Sequence, residues 1–272
     1  MKRKFFSIKL ILERLLFLYR EHRHDTKVLI YQMGKVGSSS LEAALPDSVH
    51  LHTLYGYPPA KKAVDFKRRS FIKSMRRVLY WWLLRQTLKR HKRIKIITLV
   101  RDPLQREVSQ FFQDIEHWLS FHSLSKKIDT RGEDPELVSK CFEQSYDFEY
   151  GRFWYQREIG RFTGIDIKSF EHRAVGCATA SHGKFDVIMV RLDKLKENIS
   201  LLEDFLGIEL DVGHSNAGSN KWYECIYNKF RCEYTPPPFI INDIYTNNWV
   251  RFMYSPDEWA GMKSKHDSGV SL

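Results

Sequence analysis

The amino-acid sequence predicts a three-layer α/β domain with a central, mostly parallel sheet flanked by helices. Three segments, 28–41, 94–112 and 185–206, each combine a buried apolar strand, a sharp turn and an amphipathic helix, which is the repeating unit of such a sheet. The chain of 272 residues is 43% apolar and 14% aromatic, which is enough to bury a sizeable core. It has no internal repeats or low-complexity tracts, so we expect a single domain.

The predicted domain covers residues 27–272 and contains helical insertions at about 57–93 and 118–184. Residues 1–26 precede it as a basic amphipathic helix, whose apolar stretch is interrupted by charged residues. A transmembrane helix needs about 18 or more consecutive apolar residues, and no such uncharged run occurs. We therefore expect a cytoplasmic protein, and peripheral contact with a membrane surface remains an alternative.

The loop after the first strand, Val28–Tyr31, has the composition of a phosphate-binding loop. Gly34 and Gly37 permit backbone geometry that a side chain would block, and serines open the next helix, whose first amides favour an anion. The ATPase pattern G-x-x-x-x-G-K-[ST] does not fit, because Ser38 follows the second glycine and the lysine is inside the loop. We predict that this loop binds a phosphate through Lys35, Val36, Gly37, Ser38, Ser39 and Ser40. The alternatives are an ordinary turn between a strand and a helix, or another kind of nucleotide site.

The second unit places an arginine and a serine where they can hold another phosphate. Arg101 ends the strand, Asp102 and Pro103 form the turn, and Ser109 lies two turns into the helix. A planar guanidinium binds phosphate with two hydrogen bonds, and a hydroxyl adds a third. The alternative is that Arg101 pairs with Asp102 or Glu107 and that Ser109 is solvated.

These two motifs resemble the nucleotide-binding motifs of sulfotransferases that use 3′-phosphoadenosine 5′-phosphosulfate (PAPS). Lys35 with Gly37-Ser38-Ser39 is similar to the loop that holds the 5′-phosphosulfate in that family. Arg101 with Ser109 resembles the pair that holds the 3′-phosphate.

Two later segments extend the resemblance over most of residues 27–265. Residues 191–195, RLDKL, stand where sulfotransferases have a characteristic turn after a late strand. Residues 219–224, SNKWYE, resemble the motif of a family of bacterial capsular-polysaccharide synthesis proteins that is assigned to the sulfotransferase superfamily. The segments 57–93 and 118–184 match no family motif.

The resemblance implies a P-loop-type fold and transfer of a sulfuryl group from PAPS to a hydroxyl of a carbohydrate, with a role in capsule biosynthesis. The product is adenosine 3′,5′-bisphosphate, and no metal is expected. Lys35 is then catalytic as well, since it lies near the bridging oxygen, and Lys221 belongs to a basic segment that covers the 3′-phosphate. The alternatives are a P-loop kinase and a non-catalytic member of the fold that binds a polyanion or a membrane.

Two histidines on one short predicted strand are candidates for the base that accepts the acceptor's proton. His50 and His52 are two residues apart, so in a strand they face the same side. In many sulfotransferases the base is a histidine at the carboxyl end of this neighbouring strand, which favours His52. His50 is the second candidate, and a carboxylate such as Glu107 is the third.

The net charge of +11 is concentrated in one segment. Residues 61–95 contain fourteen Lys and Arg and a single acid, Asp65, so this segment alone carries +13. Its apolar residues, including Phe71, Val78 and Trp82, recur at helical spacing. Three roles are open for this basic helix. It packs on the sheet, it binds an anionic glycan or nucleotide, or it lies on a membrane surface. No nucleic-acid-binding motif accompanies the charge, so we expect no nucleic-acid partner.

The four cysteines give no sign of a metal site. Cys141, Cys177, Cys225 and Cys232 form no C-x-x-C pair and have no His/Cys ligand spacing. We expect buried free thiols, although Cys225 and Cys232 could pair in an oxidising compartment.

Overall fold

The computed structural model describes residues 26–37, 39–56, 71–121, 135–212 and 221–267. The predicted α/β class is confirmed: within these residues, six strands form one mostly parallel sheet flanked by helices. The strands are β1 (Thr26–Tyr31), β2 (Val49–Leu51), β3 (Arg93–Val100), β4 (Glu171–Ala174), β5 (Cys177–His182) and β6 (Phe185–Arg191).

The order of the strands is β2-β1-β3-β6-β5-β4. Strands β2, β1, β3 and β6 are parallel, with Ile30 opposite Ile97 and Ile97 opposite Ile188. Strands β5 and β4 continue the sheet in antiparallel pairing. Runs of fully buried residues such as Ile96 and Ile97 are typical of parallel strands covered on both faces.

The described helices follow the strands along the chain. They are α1 (Ser39–Ala44), α2 (Phe71–Leu88), α3 (Pro103–Gln113), α4 (Ile115–Phe121), α5 (Pro135–Ser145), α6 (Glu149–Tyr155), α7 (Arg161–Thr163), α8 (Ile199–Leu206), α9 (Glu224–Glu233), α10 (Pro238–Tyr245), α11 (Asn248–Met253) and α12 (Pro256–Asp267). A π-helical turn, Gln156–Gly160, separates α6 from α7, and short 3₁₀ turns occur at Ile167–Ser169, Leu192–Lys194 and Lys196–Asn198.

Helix α3, which carries Ser109, has a well-defined start. The Asp102 carboxylate accepts a hydrogen bond from the Gln105 amide at 2.8 Å, and Pro103 occupies the first turn. The second Asp102 oxygen accepts from the Tyr245 hydroxyl at 3.0 Å. Asp102 is therefore a helix cap and does not pair with Arg101.

The side of helix α2 that packs against the protein is not the side that carries Val78 and Trp82, which the apolar repeat in the sequence indicated. Tyr80, Leu84 and Leu88 are buried, whereas Val78 and Trp82 are 67% and 49% exposed. The buried residues repeat every fourth position and the exposed ones lie on the opposite side of the helix. The helix thus has two apolar sides, one of which faces solvent.

The other predictions about the segments have mixed outcomes. The predicted helix at residues 1–26 lies outside the described residues, apart from residue 26, which begins β1. The segment 118–184 contains helices, as expected, but also β4 and β5, which were not predicted. None of the helices in the described part of the chain combines the length and the apolar composition needed to cross a bilayer.

The cysteines divide into two groups. Cys141 and Cys177 are buried, as expected, and burial raises the pKa of the Cys177 thiol to about 11. Cys225 and Cys232 are exposed on α9, which corrects the expectation of buried thiols for these two.

Candidate functional site

The candidate site lies where the strand order reverses. The chain passes from β1 to β2 on one side and then to β3 on the other, so the loops after β1 and β3 separate and leave a crevice between them. Open α/β sheets bind their ligands at this point, outside the carboxyl ends of the strands. A cavity of about 540 Å³ lies between these loops, the end of β2 and helix α9. Ligand pockets in proteins usually measure about 300 to 1,000 Å³.

The loop after β1 has a strained and tightly packed backbone. Gly37 has φ of +81°, and a Cβ there would lie 2.8 Å from the methyl carbons of Leu192, so a side chain would be strained and would displace Leu192. Lys35 has φ of 70° and is the one non-glycine residue with positive φ among the described residues. A lysine pays a conformational cost in this region, and such costs cluster at functional sites.

Two arginines hold this loop against the start of α3. Arg106 Nε donates to the Gly34 carbonyl at 3.2 Å, and Arg101 Nη1 lies 3.4 Å from the Lys35 carbonyl. The arginine that is proposed to bind phosphate therefore also fixes the loop that carries the lysine.

Arg101 and Ser109 lie together on the cavity wall, as their spacing predicts. Arg101 Nη1 is 3.5 Å from Ser109 Oγ, and Nη2 donates to Gln105 Oε1 at 3.2 Å. Ser109 Oγ is also 3.4 Å from the Tyr227 hydroxyl of α9. Arg101 forms no ion pair within the described part of the chain, so neither alternative partner, Asp102 or Glu107, neutralises it.

Lysines from distant parts of the sequence meet in the cavity. Burial, the neighbouring Lys221 ammonium and, to a smaller extent, Arg101 together lower the pKa of Lys35 to about 8. Asp114 acts in the opposite direction. A half-buried cation beside two other cations is stabilised when an anion enters between them.

Both candidate histidines line the cavity, but their ring nitrogens differ. His52 follows β2 and its Nδ1 lies 3.1 Å from the Gln32 carbonyl oxygen. Because a carbonyl only accepts, Nδ1 carries the hydrogen and Nε2 has the lone pair. His50 Nδ1 is 3.1 Å from Glu42 Oε2, and its Nε2 is buried. The two rings are 4.4 Å apart in an edge-to-face arrangement.

The third candidate base, Glu107, points away from this cavity. Its carboxylate is buried, accepts from the Tyr146 hydroxyl at 2.6 Å and contacts Arg106 Nη1 at 2.5 Å. The crevice beside it measures about 10 Å³, which is roughly the space of one water. We therefore assign Glu107 a structural role in the packing of α3.

Most of the predicted site residues line the cavity: Lys35, Gly37, Ser39, His50, His52, Arg101, Ser109 and Lys221. Val36 is buried in the core instead, and Ser40 lies on α1 outside the lining. Ser38 and the first two residues of the SNKWYE motif lie outside the described residues.

Several wall residues were not predicted. They are Glu42, Gln110, Phe112, Gln113, Tyr223, Glu224, Tyr227 and Asn228. Glu42 had a signal, since it lies three residues after Ser39 and so shares its side of the helix. Tyr223 and Glu224 belong to the SNKWYE motif, although no role was predicted for them. Tyr227 and Asn228 had no signal, because their position depends on the packing of Tyr227 against Phe112, with ring centres 5.1 Å apart.

Comparisons with protein-family models, curated proteins and solved structures found no match to this chain. The described residues contain no group of three or more His, Cys, Asp or Glu side chains placed to hold a metal ion. The cavity instead offers cations, hydroxyls and a histidine, which suit an anionic nucleotide and proton transfer.

Proposed function

We propose that this protein is a sulfotransferase that moves a sulfuryl group from PAPS to a hydroxyl of a carbohydrate. The observation that carries the proposal is the meeting of Lys35, Arg101, Ser109 and His52 in one cavity of about 540 Å³. These residues were selected from the sequence as two phosphate sites and a base. We include in the proposal a P-loop-type fold, which the glycine-bracketed loop between β1 and α1 supports.

The cations of the cavity suit a nucleotide with phosphates at two positions. Arg101 and Ser109 are the proposed ligands of the 3′-phosphate, with the Tyr227 hydroxyl 3.4 Å from Ser109 as a further donor. Lys35 is the proposed ligand of the 5′-phosphosulfate. The resemblance assigns Lys221 to the 3′-phosphate, but its ammonium interacts with that of Lys35, so we propose it as a second ligand of the 5′-phosphosulfate. When bound, the nucleotide supplies an activated sulfuryl group and a phosphate leaving group.

His52 is the proposed general base. The Gln32 carbonyl holds its Nδ1–H at 3.1 Å, so Nε2 accepts the proton of the acceptor hydroxyl. The Lys35 ammonium stabilises the negative charge that the leaving phosphate gains. His50 is less suited, since Glu42 engages its Nδ1 and its Nε2 is buried.

Polar side chains on the remaining wall support a carbohydrate acceptor. Glu42, Gln113, Glu224 and Asn228 offer carboxylate and amide groups, which hydrogen-bond the hydroxyls of sugars. The acceptor hydroxyl thus has partners that orient it toward the base.

The decisive experiment compares two nucleotides that differ only in the 3′-phosphate. Adenosine 3′,5′-bisphosphate should bind in roughly the low micromolar range without a divalent ion, which corresponds to about 8 kcal/mol. Arg101→Ala should weaken its binding by well over tenfold, because losing a desolvated charge contact costs about 2 to 5 kcal/mol. Binding of adenosine 5′-monophosphate should change little.

Arg93→Ala is the matched control, since Arg93 begins the same strand, is exposed and pairs with Asp186 at 2.5 Å. It should alter the affinity of neither nucleotide. Equal losses for both nucleotides in Arg101→Ala would place Arg101 outside the 3′ site. Tighter binding of ATP with magnesium than of the bisphosphate would favour a kinase instead.

A further inference from the structure

The short loop after β2, residues 52–56, is held in place by side chains from far along the chain. Trp154 Nε1 donates to the His52 carbonyl at 2.9 Å. Arg85 of α2 donates to the Leu54 carbonyl, and its guanidinium lies 4.6 Å from the centre of the Tyr55 ring. Arg161 covers the same ring at 4.2 Å. The residues that follow His52 are therefore fixed from several sides.

The central anchor of this loop is Glu158, which is 3% exposed and lies in the π-helical turn Gln156–Gly160. Its carboxylate accepts hydrogen bonds from Thr53 Oγ1 at 2.8 Å, from the Leu54 amide at 2.7 Å and from the Tyr55 amide at 3.4 Å. It also accepts from the Tyr31 hydroxyl. Single π-turns within helices occur frequently at functional sites.

These contacts connect the two segments between which the His52 ring is held. Tyr31 ends β1 and directly precedes Gln32, whose carbonyl accepts from His52 Nδ1. Thr53 and Leu54 directly follow His52. The Glu158 carboxylate thus links Tyr31, which precedes Gln32, to Thr53 and Leu54, which follow His52.

The carboxylate is costly to bury, and hydrogen bonds from Tyr31, Thr53, Leu54 and Tyr55 offset that cost. Within the described residues Glu158 forms no ion pair. Burial raises the pKa of Glu158, and the hydrogen bonds from Tyr31, Leu54 and Thr53 act in the opposite direction. A buried carboxylate that gains only such partners is a poor source of stability, which points to a positional role.

We propose that Glu158 is a positioning residue that sets the His52 ring against the Gln32 carbonyl and so aims its free nitrogen into the cavity. This proposal rests on the proposed function, because the role of His52 as a general base is part of the sulfotransferase mechanism. In the described part of the chain, the hydrogen-bond partners of Glu158 are not residues that line the cavity. It acts through Tyr31 and the loop.

The test is Glu158→Gln in the full chain, read by NMR of the His52 ring. In the wild type the Nδ1–H of His52 should give a slowly exchanging proton signal, because the Gln32 carbonyl holds it. Since the chain has eleven histidines, the signal is assigned by its loss in His52→Gln. Glutamine has an acceptor oxygen at only one of the two positions, so it loses the hydrogen bond from Thr53 or those from Tyr31 and the backbone amides. Glu158→Gln should therefore abolish the slow exchange.

Turnover gives the second measurement, with an oligosaccharide acceptor that supports release of adenosine 3′,5′-bisphosphate. Misplacing a reacting group by about 1 Å costs about 10²-fold. Glu158→Gln should lower kcat by about 10- to 100-fold and leave the dissociation constant of the bisphosphate within about twofold. The loss should not exceed that of His52→Ala, since a general base contributes about 10² to 10⁴.

Two further variants separate positioning from stability. Thr53→Val removes one donor to Glu158. It should also speed the exchange of the His52 Nδ1–H, but less than Glu158→Gln does. Glu107→Gln alters another buried carboxylate that accepts from a tyrosine, and it should lower stability without changing that signal. An unchanged His52 signal in both Glu158→Gln and Thr53→Val would overturn the proposal. Failure of the wild type to bind the bisphosphate would refute the sulfotransferase function alone, because the NMR signal needs no nucleotide.

Discussion

Lys35 combines two unfavourable properties in one residue. Its backbone has φ of 70°, where side chains are disfavoured, and its ammonium is half-buried beside Lys221. Burial and these neighbouring cations lower the pKa of Lys35 to about 8. An unfolded lysine keeps its proton more tightly, so this residue destabilises the fold at pH below about 8 and less so as the pH rises further.

The affinity for adenosine 3′,5′-bisphosphate should consequently depend on pH above neutrality. Bound phosphate favours the ammonium, so affinity should be nearly constant between pH about 7 and 8 and fall above it, by at most about tenfold per pH unit. Calorimetric titration between pH about 7 and 9.5 measures this dependence. Lys35→Arg should retain binding and lose the pH dependence in this range. A wild-type affinity that stays flat would show that Lys35 does not contact the phosphate.

At the residue scale, the sequence contained the signals for one wall of the site and lacked those for the other. Gly37, Arg101 and Ser109 follow strands at fixed spacings, so their meeting at one sheet edge follows from the parallel topology. Tyr227 meets Ser109 only because α9 docks on α3, 118 residues later in the chain. Glu158 lies in a segment without a recognisable motif, and its role depends on contacts that no local pattern encodes.

Gly151 of α6 lies against two buried side chains of α3, Arg106 and Glu107. A Cβ at this position would lie 1.9 Å from Glu107 Oε1 and 2.9 Å from Arg106 Nη1. Both side chains are buried and paired with each other at 2.5 Å. The absence of a side chain at Gly151 therefore leaves the space that this ion pair occupies.

Gly151→Ala should destabilise the protein even though alanine favours helices. Overpacking a buried site costs about 1 to 3 kcal/mol, whereas the gain in helix propensity is about 1 kcal/mol. Gly261→Ala on α12 is the control, because nothing lies within 4 Å of its Cβ position. It should be neutral or stabilising by up to about 1 kcal/mol. Urea unfolding measures both variants, and similar effects would show that the ion pair adapts at little cost.

The two apolar sides of α2 explain why its orientation was not predicted. A helical repeat of apolar residues indicates that one side packs, but here Tyr80, Leu84 and Leu88 compete with Val78 and Trp82. The spacing of the apolar residues alone does not show which of the two sides packs against the rest of the protein. The packed side is the one that reaches the loop after β2, where Arg85 holds the Leu54 carbonyl.

At the scale of the whole molecule, the parallel part of the sheet was predictable and the antiparallel part was not. Strands β1, β3 and β6 are long apolar runs that precede amphipathic helices, and both features are visible in the sequence. Strand β4 has only exposed residues, so no alternation of apolar and polar residues reveals it. Its pairing with β5 depends on the turn at Gly176, which has φ of +73°.

The site joins parts of the chain that lie almost 200 residues apart, so a ligand that binds there should stabilise the entire fold. Adenosine 3′,5′-bisphosphate at 100 times its dissociation constant should add about 2.7 kcal/mol to the free energy of unfolding. For a chain of this size, each kcal/mol raises Tm by roughly 2–4 °C. Differential scanning fluorimetry should show this shift, with adenosine as the control that lacks both phosphates. Equal shifts for both compounds would contradict a site built for phosphate.

Strand β4 at the edge of the described sheet also affects how copies of the chain meet in solution. All four of its residues are exposed, and Glu171 and Arg173 lie 3.2 Å apart as an ion pair. A strand from a second molecule that paired here would place its own side chains beside these charges. Sheet edges carrying such charges resist templated pairing. The charges on β4 should therefore disfavour edge-to-edge pairing between copies of the chain.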